Sequence, residues 1–281
     1  MNEYIPQMIF STVRTTQSVL EDARKGRVDG EAIRFWGERS GGWWSSESYP
    51  LWRVYATTFE ASKATERLSR STTYRQISRE ELENAVGLPT AKDLWAKMGT
   101  TGNVIEPTLI IMAGPPLSGK TTLANEIVRR ALEPTLLIEN DAVREHIVSE
   151  MKLAAPRFTA AEHRRVYNVS WELIRLALSQ HCNVTFDATN RTDSRRAGAY
   201  AAASEYNARI LVIFMKVSPE TLSIRYQSAK SEKQKAYDKL GTETYNAKNC
   251  SVPYKLVESD RPADVLLKGI ADGIRIPLNL V

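Results

Sequence analysis

Cysteine and long apolar runs are both scarce in this sequence of 281 residues. The two cysteines, Cys182 and Cys250, form neither a CxxC pair nor a zinc-ligand pattern, which argues against a disulfide-rich secreted scaffold. No apolar stretch approaches the roughly 20 residues that a helix needs to span a bilayer. The first residues, MNEYIPQMIF, lack the basic region of a secretory signal. We therefore expect reduced thiols, no membrane partner and a cytoplasmic location (the host cytoplasm for a viral protein).

The charge balance excludes little. The chain has 38 Lys and Arg against 33 Asp and Glu, a formal net charge of +5. This modest surplus is compatible with polyanionic substrates, but many proteins of other classes have one as large. At 281 residues the chain is long enough for one large domain or two smaller ones, and 42% of its residues are apolar. The sequence does not indicate the oligomeric state.

The sequence pattern changes near residue 100. Upstream, the pattern predicts a mostly helical N-terminal domain over residues 1–103, with helices at about 3–24, 30–38, 50–70, 78–86 and 90–98. Four of the six tryptophans lie between Trp36 and Trp52. They are typical of core packing in a small domain, although an aromatic surface for stacking bases is the alternative. The role of this region stays open.

Strands and helices alternate over residues 104–281, which predicts an α/β domain. The predicted strands are 108–114, 135–140, 183–189, 209–217 and 263–269, and the predicted helices are 120–132, 142–152, 159–180, 192–206 and 219–239. Strands that are apolar throughout are typical of a parallel sheet with helices on both faces. Residues 242–253 are predicted to be a loop.

A glycine-rich segment, GPPLSGKTT, directly follows the first apolar strand of this domain. It completes the pattern G-x-x-x-x-G-K-[ST] between a strand and a helix, the context that a phosphate-binding loop requires. Its backbone N–H groups and the helix N-terminus favour phosphate oxygens, while Lys120 would reach the β- and γ-phosphates of ATP and Thr121 would bind Mg²⁺. The predicted ATP-binding residues are Gly114, Pro115, Pro116, Leu117, Ser118, Gly119, Lys120, Thr121 and Thr122.

Two further segments place carboxylates after predicted strands. In NVTFDATN, Asp187 ends an apolar strand, where P-loop folds hold a second carboxylate near the metal. In LLIENDAVREHI, Asp141 follows a strand and Arg144 lies about one helical turn later, so we expect the two side chains to share a face. A carboxylate at this point could accept the proton of an attacking hydroxyl, and the arginine could hold a nearby phosphate.

The motifs GPPLSGKT, NDAVR and DATN together resemble those of the 5′-hydroxyl polynucleotide kinases of bacteriophage and bacterial nucleic-acid repair. The resemblance covers about residues 107–270 and extends to small P-loop kinases such as the zeta toxins. It implies a P-loop kinase fold with a helical lid, ATP and Mg²⁺ as cofactors, and nucleic acid with a free 5′-hydroxyl as partner. It further implies that Asp141 is the general base, that Arg144 engages a substrate phosphate and that Asp187 assists the metal site.

The resemblance also indicates a lid that supplies basic side chains to the transferring phosphate. Arg225 in SPETLSIRYQSAKSEKQKAY fits the first position, and Lys230 or Lys233 is a candidate for the second. Lysine lacks the planar fork with which arginine binds phosphate oxygens. Asn190 and Arg191, just after Asp187, are the remaining candidates for acceptor binding.

Other functions fit parts of the pattern. Within kinases, the acceptor could be a small molecule such as a nucleotide-sugar, or a hydroxylated base in DNA. An NTPase switch or motor is an alternative outside the kinases, although neither a sensor motif nor a water-positioning glutamine is evident. A purely structural role is disfavoured because Lys120, Thr121, Asp141 and Asp187 are all present.

Overall fold

A computed structural model of the chain describes residues 34–39, 51–57, 74–77, 88–98, 100–156, 158–229, 234, 247 and 250–280. The chain divides into two compact units. Residues 1–89 and 157–165 form the first unit, and residues 90–156 and 166–281 form the second. Elements below are numbered along the described residues.

The first unit contains a three-stranded antiparallel sheet. Strands β1 (Arg34–Arg39), β2 (Leu51–Thr57) and β3 (Tyr74–Ile77) pair in the order β2-β1-β3. The helices predicted over 30–38 and 50–70 are therefore wrong where these strands lie. The physical reason is that LWRVYAT is rich in the aromatic and β-branched residues that strands favour. The predicted helices at 3–24 and 78–86 lie outside the described residues.

The second unit is built on a five-stranded sheet whose strand pairs are all parallel. Its strands are β4 (Thr108–Ala113), β5 (Thr135–Glu139), β6 (Asn183–Asp187), β7 (Arg209–Lys216) and β8 (Tyr254–Glu258). Their order is β5-β6-β4-β7-β8, which places β4 at the centre. Every residue of β4 is buried, as its apolar sequence predicts. The predicted α/β fold with a mainly parallel sheet is confirmed.

Helices cover both faces of this sheet. They are α1 (Leu88–Met98), α2 (Lys120–Arg130), α3 (Asn140–Glu150), α4 (Ala160–Ser179), α5 (Asp193–Glu205), α6 (Pro219–Ser228) and α7 (Ala263–Ile274). Alternate residues of β4 enter two separate cores: Leu109 and Ile111 pack with α3, α4 and α5, whereas Ile110 and Met112 pack with α2 and α7. No helix in the described part of the chain is both long and apolar enough to cross a membrane.

One predicted strand is a helix. Residues 263–269 were expected to form the fifth strand, but they open α7, and the fifth strand is β8. The apolar run ADVLLKG is too short to show its period. The buried residues Leu267, Ile270 and Ile274 recur at intervals of three and four, which is the helical spacing. In β8 only Val257 is buried, so the strand lacks the apolar run that identifies its neighbours.

Helix α1 packs with the second unit. Ala91 is fully buried in the core beside α4, and Leu94, Trp95 and Met98 pack against the same core. The second unit accordingly begins at Thr90, upstream of residue 104 where we predicted the domain to start. A fragment beginning at 104 would remove these apolar contacts.

Two glycines, one in α5 and one in α7, test how closely the helices of the second unit pack. A Cβ atom on Gly198 in α5 would lie 2.2 Å from the ring of Trp171, whereas one on Gly269 in α7 would meet nothing within 4 Å. We expect Gly198→Ala to lower the free energy of unfolding by about 1–3 kcal/mol because the helices must separate. Gly269→Ala should leave it unchanged or raise it by up to about 1 kcal/mol, since alanine is the better helix former. Thermal melting of both variants measures the contrast, and equal midpoints would contradict the described α4–α5 contact.

Candidate active site

The glycine-rich loop connects the end of β4 to the start of α2. Gly114 has φ +150°, and a Cβ atom there would lie 2.9 Å from the carbonyl oxygen of Met215. Gly119 has φ +84° and directly precedes Lys120, the first residue of α2. Leu117 has φ +66°, a value that L residues with side chains of this size rarely adopt. The loop therefore needs glycine at two positions and holds a strained residue at a third, as functional loops often do.

The side chain of Lys120 hydrogen-bonds back to the backbone of its own loop. Its Nζ atom donates a hydrogen bond to the carbonyl oxygen of Pro115 at 2.8 Å, and the residue is only 9% exposed. The ammonium group is thus held over the loop, next to the backbone N–H groups at the start of α2. This arrangement is suited to an anion, because a positive side chain and the positive end of a helix dipole point to the same place.

Thr121 and Asp187 meet directly. The Thr121 hydroxyl donates a hydrogen bond to Oδ2 of Asp187 at 2.6 Å, although the two residues are 66 positions apart in sequence. The contact follows from the sheet: β4 and β6 are parallel neighbours, and Asp187 pairs with Met112 just before the loop. Asp187 is buried, with 4% of its surface exposed. The two residues predicted to hold a metal therefore lie side by side.

Arg225 lies against the loop from the other side. Its Nη1 atom donates to the carbonyl oxygen of Leu117 at 3.1 Å, and its Nη2 atom donates to the carbonyl oxygen of Ser259 at 2.5 Å. A Cβ atom on Gly119 would lie 3.4 Å from Nη1, so the guanidinium group covers the loop. The structure brings this predicted lid arginine to the site. Lys230 and Lys233 lie outside the described residues.

The start of α6 fixes the position of Arg225. Asp260, next to Ser259, accepts hydrogen bonds from the backbone N and the hydroxyl of Ser218, the N-cap of α6. The hydrogen bond from the backbone of Ser218, followed by one from Thr221, holds the pKa of Asp260 below its ordinary value. The loop after β8 and the helix that carries Arg225 are therefore joined at two points.

Asp141 and Arg144 share one helix but differ in exposure. Asp141 is exposed in the first turn of α3, whereas Arg144 is buried with 5% of its surface exposed. Asn140, before Asp141, accepts a hydrogen bond from Ser170 of α4 at 2.7 Å, which fixes the start of α3. An acceptor could reach Asp141 without rearrangement, but a substrate phosphate could reach Arg144 only if its surroundings move.

Asn190 is an internal structural residue in this conformation. It is fully buried, has φ +44°, and its Nδ2 atom donates to the carbonyl oxygen of Met112 at 2.9 Å. It thus ties the segment after β6 to the end of β4. Arg191, the next residue, is half-buried. Acceptor binding by these two residues stays a prediction.

Arg196, which the sequence motifs did not single out, is 1% exposed. Its guanidinium group donates to the carbonyl oxygen of Asn190, to the Tyr200 hydroxyl at 2.6 Å and to Asp193 Oδ1 at 2.6 Å. Asp193 Oδ2 also accepts a hydrogen bond from the backbone N of Ser251 at 3.1 Å. The signal was present, because Asp193 and Arg196 at the start of α5 repeat the D-x-x-R spacing that Asp141 and Arg144 have in α3.

This network has a clear electrostatic consequence. Burial alone would raise the pKa of Asp193, but hydrogen bonds from Arg196, Ser251 and Tyr200 outweigh it and lower the pKa. Burial raises the pKa of Tyr200, so its hydroxyl stays protonated and can donate to Asp193 at 3.0 Å. The ion pair therefore persists at neutral pH and anchors the segment between β6 and α5.

Comparison with known families agrees with this geometry. Residues 109–248, just under half of the chain, match the family model described as an AAA domain. The matched segment runs from β4 through the glycine-rich loop, Asp141, Asp187 and Arg225. This segment is a P-loop domain. No curated protein sequence matches the chain.

Solved structures with similar folds include several kinases. The Mycobacterium tuberculosis APS kinase CysC, in complex with AMPPNP and APS, is 17% identical with a TM-score of 0.41, covering 59% of this chain and 96% of its own. The PezAT toxin–antitoxin system of Streptococcus pneumoniae is 15% identical, with a TM-score of 0.44 and coverages of 68% and 87%. The Pnkp1/Rnl/Hen1 complex is 21% identical, with a TM-score of 0.40 and coverages of 55% and 48%. Similarity this low does not identify an acceptor for this chain.

A substitution at Arg196 tests how the segment between β6 and α5 is held in place. Arg196→Lys keeps the charge but cannot reach Asn190, Tyr200 and Asp193 together, so we expect the free energy of unfolding to fall by about 1–3 kcal/mol. The matched control is Arg261→Lys, because Arg261 is exposed and should tolerate the change. Thermal and urea unfolding of both variants gives the comparison. Equal losses would show that the buried network does not stabilise the domain.

Proposed function

We propose that this chain is an ATP-dependent kinase that transfers the γ-phosphate to a hydroxyl group, with the 5′-hydroxyl of DNA or RNA as the preferred acceptor. The observation that carries the proposal is the contact between Thr121 and Asp187 beside Lys120. A loop that only bound an anion would need the glycines and the lysine. A hydroxyl and a buried carboxylate at the same point are the groups that a phosphoryl-transfer site needs in addition.

The same two side chains fit Mg²⁺. Magnesium prefers oxygen ligands and usually keeps several waters, so one hydroxyl, one carboxylate and the phosphates of ATP suffice. Thr121 and Asp187 supply those oxygens at 2.6 Å from each other. When bound, the ion would neutralise charge on the phosphates. The chain's own contribution is to hold the triphosphate with Lys120, the loop backbone and Arg225.

Asp141 is the proposed general base. Its position follows from the sheet, because Glu139 at the end of β5 pairs with Asp187 at the end of β6, and Asp141 comes two residues later. Asp141 therefore starts a helix at the same edge of the sheet as the metal-binding pair. It is exposed, as a group that accepts a proton from an incoming hydroxyl must be. Arg225 faces the loop, where charge on the transferring group develops.

The preference for a 5′-hydroxyl acceptor rests on the combination of NDAVR and DATN with the P-loop. A small-molecule acceptor, such as a nucleotide-sugar, is the second candidate. The burial of Arg144 and Asn190 favours it, since an acceptor without a phosphate beside the hydroxyl would not need either side chain. A hydroxylated base in DNA belongs to the same group of alternatives.

Transfer of labelled γ-phosphate to a panel of acceptors tests the proposal. The panel comprises 5′-hydroxyl DNA, 5′-hydroxyl RNA, nucleosides, nucleotide-sugars and base-modified DNA. We expect label on the 5′-hydroxyl oligonucleotides and none with Lys120→Ala, because Lys120 is the cation held over the loop where the β- and γ-phosphates would bind. ATP hydrolysis that is equally fast with and without every acceptor would favour a switch or motor over a kinase.

Replacement of Asp141 separates a base from a metal ligand. Asp141→Asn keeps the size and removes the proton acceptor, so kcat should fall by roughly 10²–10⁴ while ATP affinity changes little. Glu145→Gln is the matched control, because Glu145 is also exposed and lies one turn further along α3. Loss of ATP binding together with turnover in Asp141→Asn would assign Asp141 to the metal site and contradict its role as base.

A further inference from the structure

Three potential metal ligands meet between α1 and α3, on elements that carry no P-loop residue. His146 Nε2 lies 3.1 Å from Asp93 Oδ2 and 3.7 Å from Glu150 Oε1. One ligand atom from each residue lies within 4.8 Å of the other two. Asp93 belongs to α1, whereas His146 and Glu150 are four residues apart on one face of α3. The cluster therefore joins two helices that are more than 40 residues apart in sequence.

Of the three groups, Glu150 is held in place by a neighbouring hydroxyl and His146 is largely buried. The buried Thr90 hydroxyl donates to Glu150 Oε2 at 3.1 Å, which leaves Oε1 as the oxygen that faces His146. His146 Nε2 is itself buried and makes no well-directed hydrogen bond within the described part of the chain, although two carboxylate oxygens lie close to it. With the imidazole proton on Nδ1, Nε2 would present its lone pair to an ion between the two carboxylates, in place of its present pairing with Asp93.

The distances fit a small ion with short bonds. In a tetrahedral zinc site with bonds of about 2.0–2.2 Å, neighbouring ligand atoms lie about 3.3–3.6 Å apart. The two distances from Nε2, 3.1 and 3.7 Å, bracket that range, and the two carboxylate oxygens lie within 4.8 Å of each other. The imidazole ligand favours Zn²⁺ over Mg²⁺ or Ca²⁺, which prefer oxygen alone.

We propose that Asp93, His146 and Glu150 form a Zn²⁺ site that links α1 to α3, with water as the fourth ligand. The site is independent of the proposed kinase activity, because none of its ligands belongs to the P-loop or to the segment after β6. Its effect would be structural: the ion fixes the C-terminal half of α3 to α1 and so stabilises the helix whose first turn holds Asp141.

Lys97 would compete with Zn²⁺ for the carboxylate of Asp93. Its Nζ atom lies 2.9 Å from Asp93 Oδ2, and this hydrogen bond is the main reason that the pKa of Asp93 is lowered. The ammonium group must leave when a cation binds, because both would occupy the same oxygen. We therefore expect Lys97→Ala to bind Zn²⁺ more tightly than the unmodified chain. The alternative without metal is an ion-pair cluster in which Asp93, Glu150 and Lys97 surround His146, and for that arrangement Lys97→Ala creates no zinc affinity.

Zinc titration of the full-length chain tests the proposal. The protein carries Cys250→Ser to remove the half-buried thiol, is treated with chelator, and is titrated by calorimetry in excess Mg²⁺ without nucleotide. We expect one Zn²⁺ per chain, a higher melting temperature with Zn²⁺, and with Co²⁺ the visible absorption of a four-coordinate ion. His146→Gln should lose all three, whereas His163→Gln, a half-buried helical histidine elsewhere, should retain them.

A second variant guards against misfolding of His146→Gln. Asp93 lies at an exposed position on α1, so Asp93→Asn should fold normally and still lose zinc binding. The absence of stoichiometric binding in the parent protein would overturn the proposal. Binding that survives unchanged in both His146→Gln and Asp93→Asn would overturn it as well, because the ion would then lie elsewhere.

Discussion

The candidate site depends on parallel strands that end at the same edge of the sheet. Because β4 and β6 are neighbours in register, the first turn of α2 and the last residue of β6 come within hydrogen-bond distance, and Thr121 meets Asp187 at 2.6 Å. The next strand in the order, β5, ends opposite Asp187 and delivers Asp141 to the same edge. Ligand sites in open α/β sheets lie at this edge for the same geometric reason. The positions of Thr121, Asp187 and Asp141 follow from this strand order.

Backbone constraints around this edge explain why so few residue types fit. Gly114 leaves no room for a side chain beside β7, and Gly119 turns the chain into α2 with a positive φ. After β6 the chain turns again at Asn190, where a buried arginine replaces the missing backbone partners. A buried charge is costly unless it is paired, and Asp193 provides that pairing for Arg196. Both turns are thus held by contacts from other elements, which keeps the two ends of the site at fixed positions.

Much of this arrangement could be predicted from the sequence, and the failures have physical causes. Four of the five strands and the loop were predictable because buried parallel strands are apolar throughout and the loop has its own glycine spacing. Strand β8 was missed because an edge strand with one buried residue has no such pattern. Strands β1 and β2 were predicted as helices because a short run that contains tryptophan and arginine suits either structure. The contact of Arg225 with Leu117 and the burial of Arg144 could not be predicted. Both depend on contacts across the fold that no local sequence pattern contains.

Helix α3 runs from the candidate active site to the proposed zinc site. Its first turn holds Asp141 at the sheet edge, its buried face contributes Val143 and Ile147 to the core, and its last two turns carry His146 and Glu150 towards α1. A helix is stiff along its axis, so a constraint at one end limits the tilt at the other. The start of α3 is fixed by the hydrogen bond between Asn140 and Ser170, and the end is fixed through Thr90 and Asp93 of α1. A proton acceptor on an exposed first turn needs this support, because a misplacement of about 1 Å in a reacting group can cost a hundredfold in rate. Helix α1 therefore packs as part of the same unit as the P-loop.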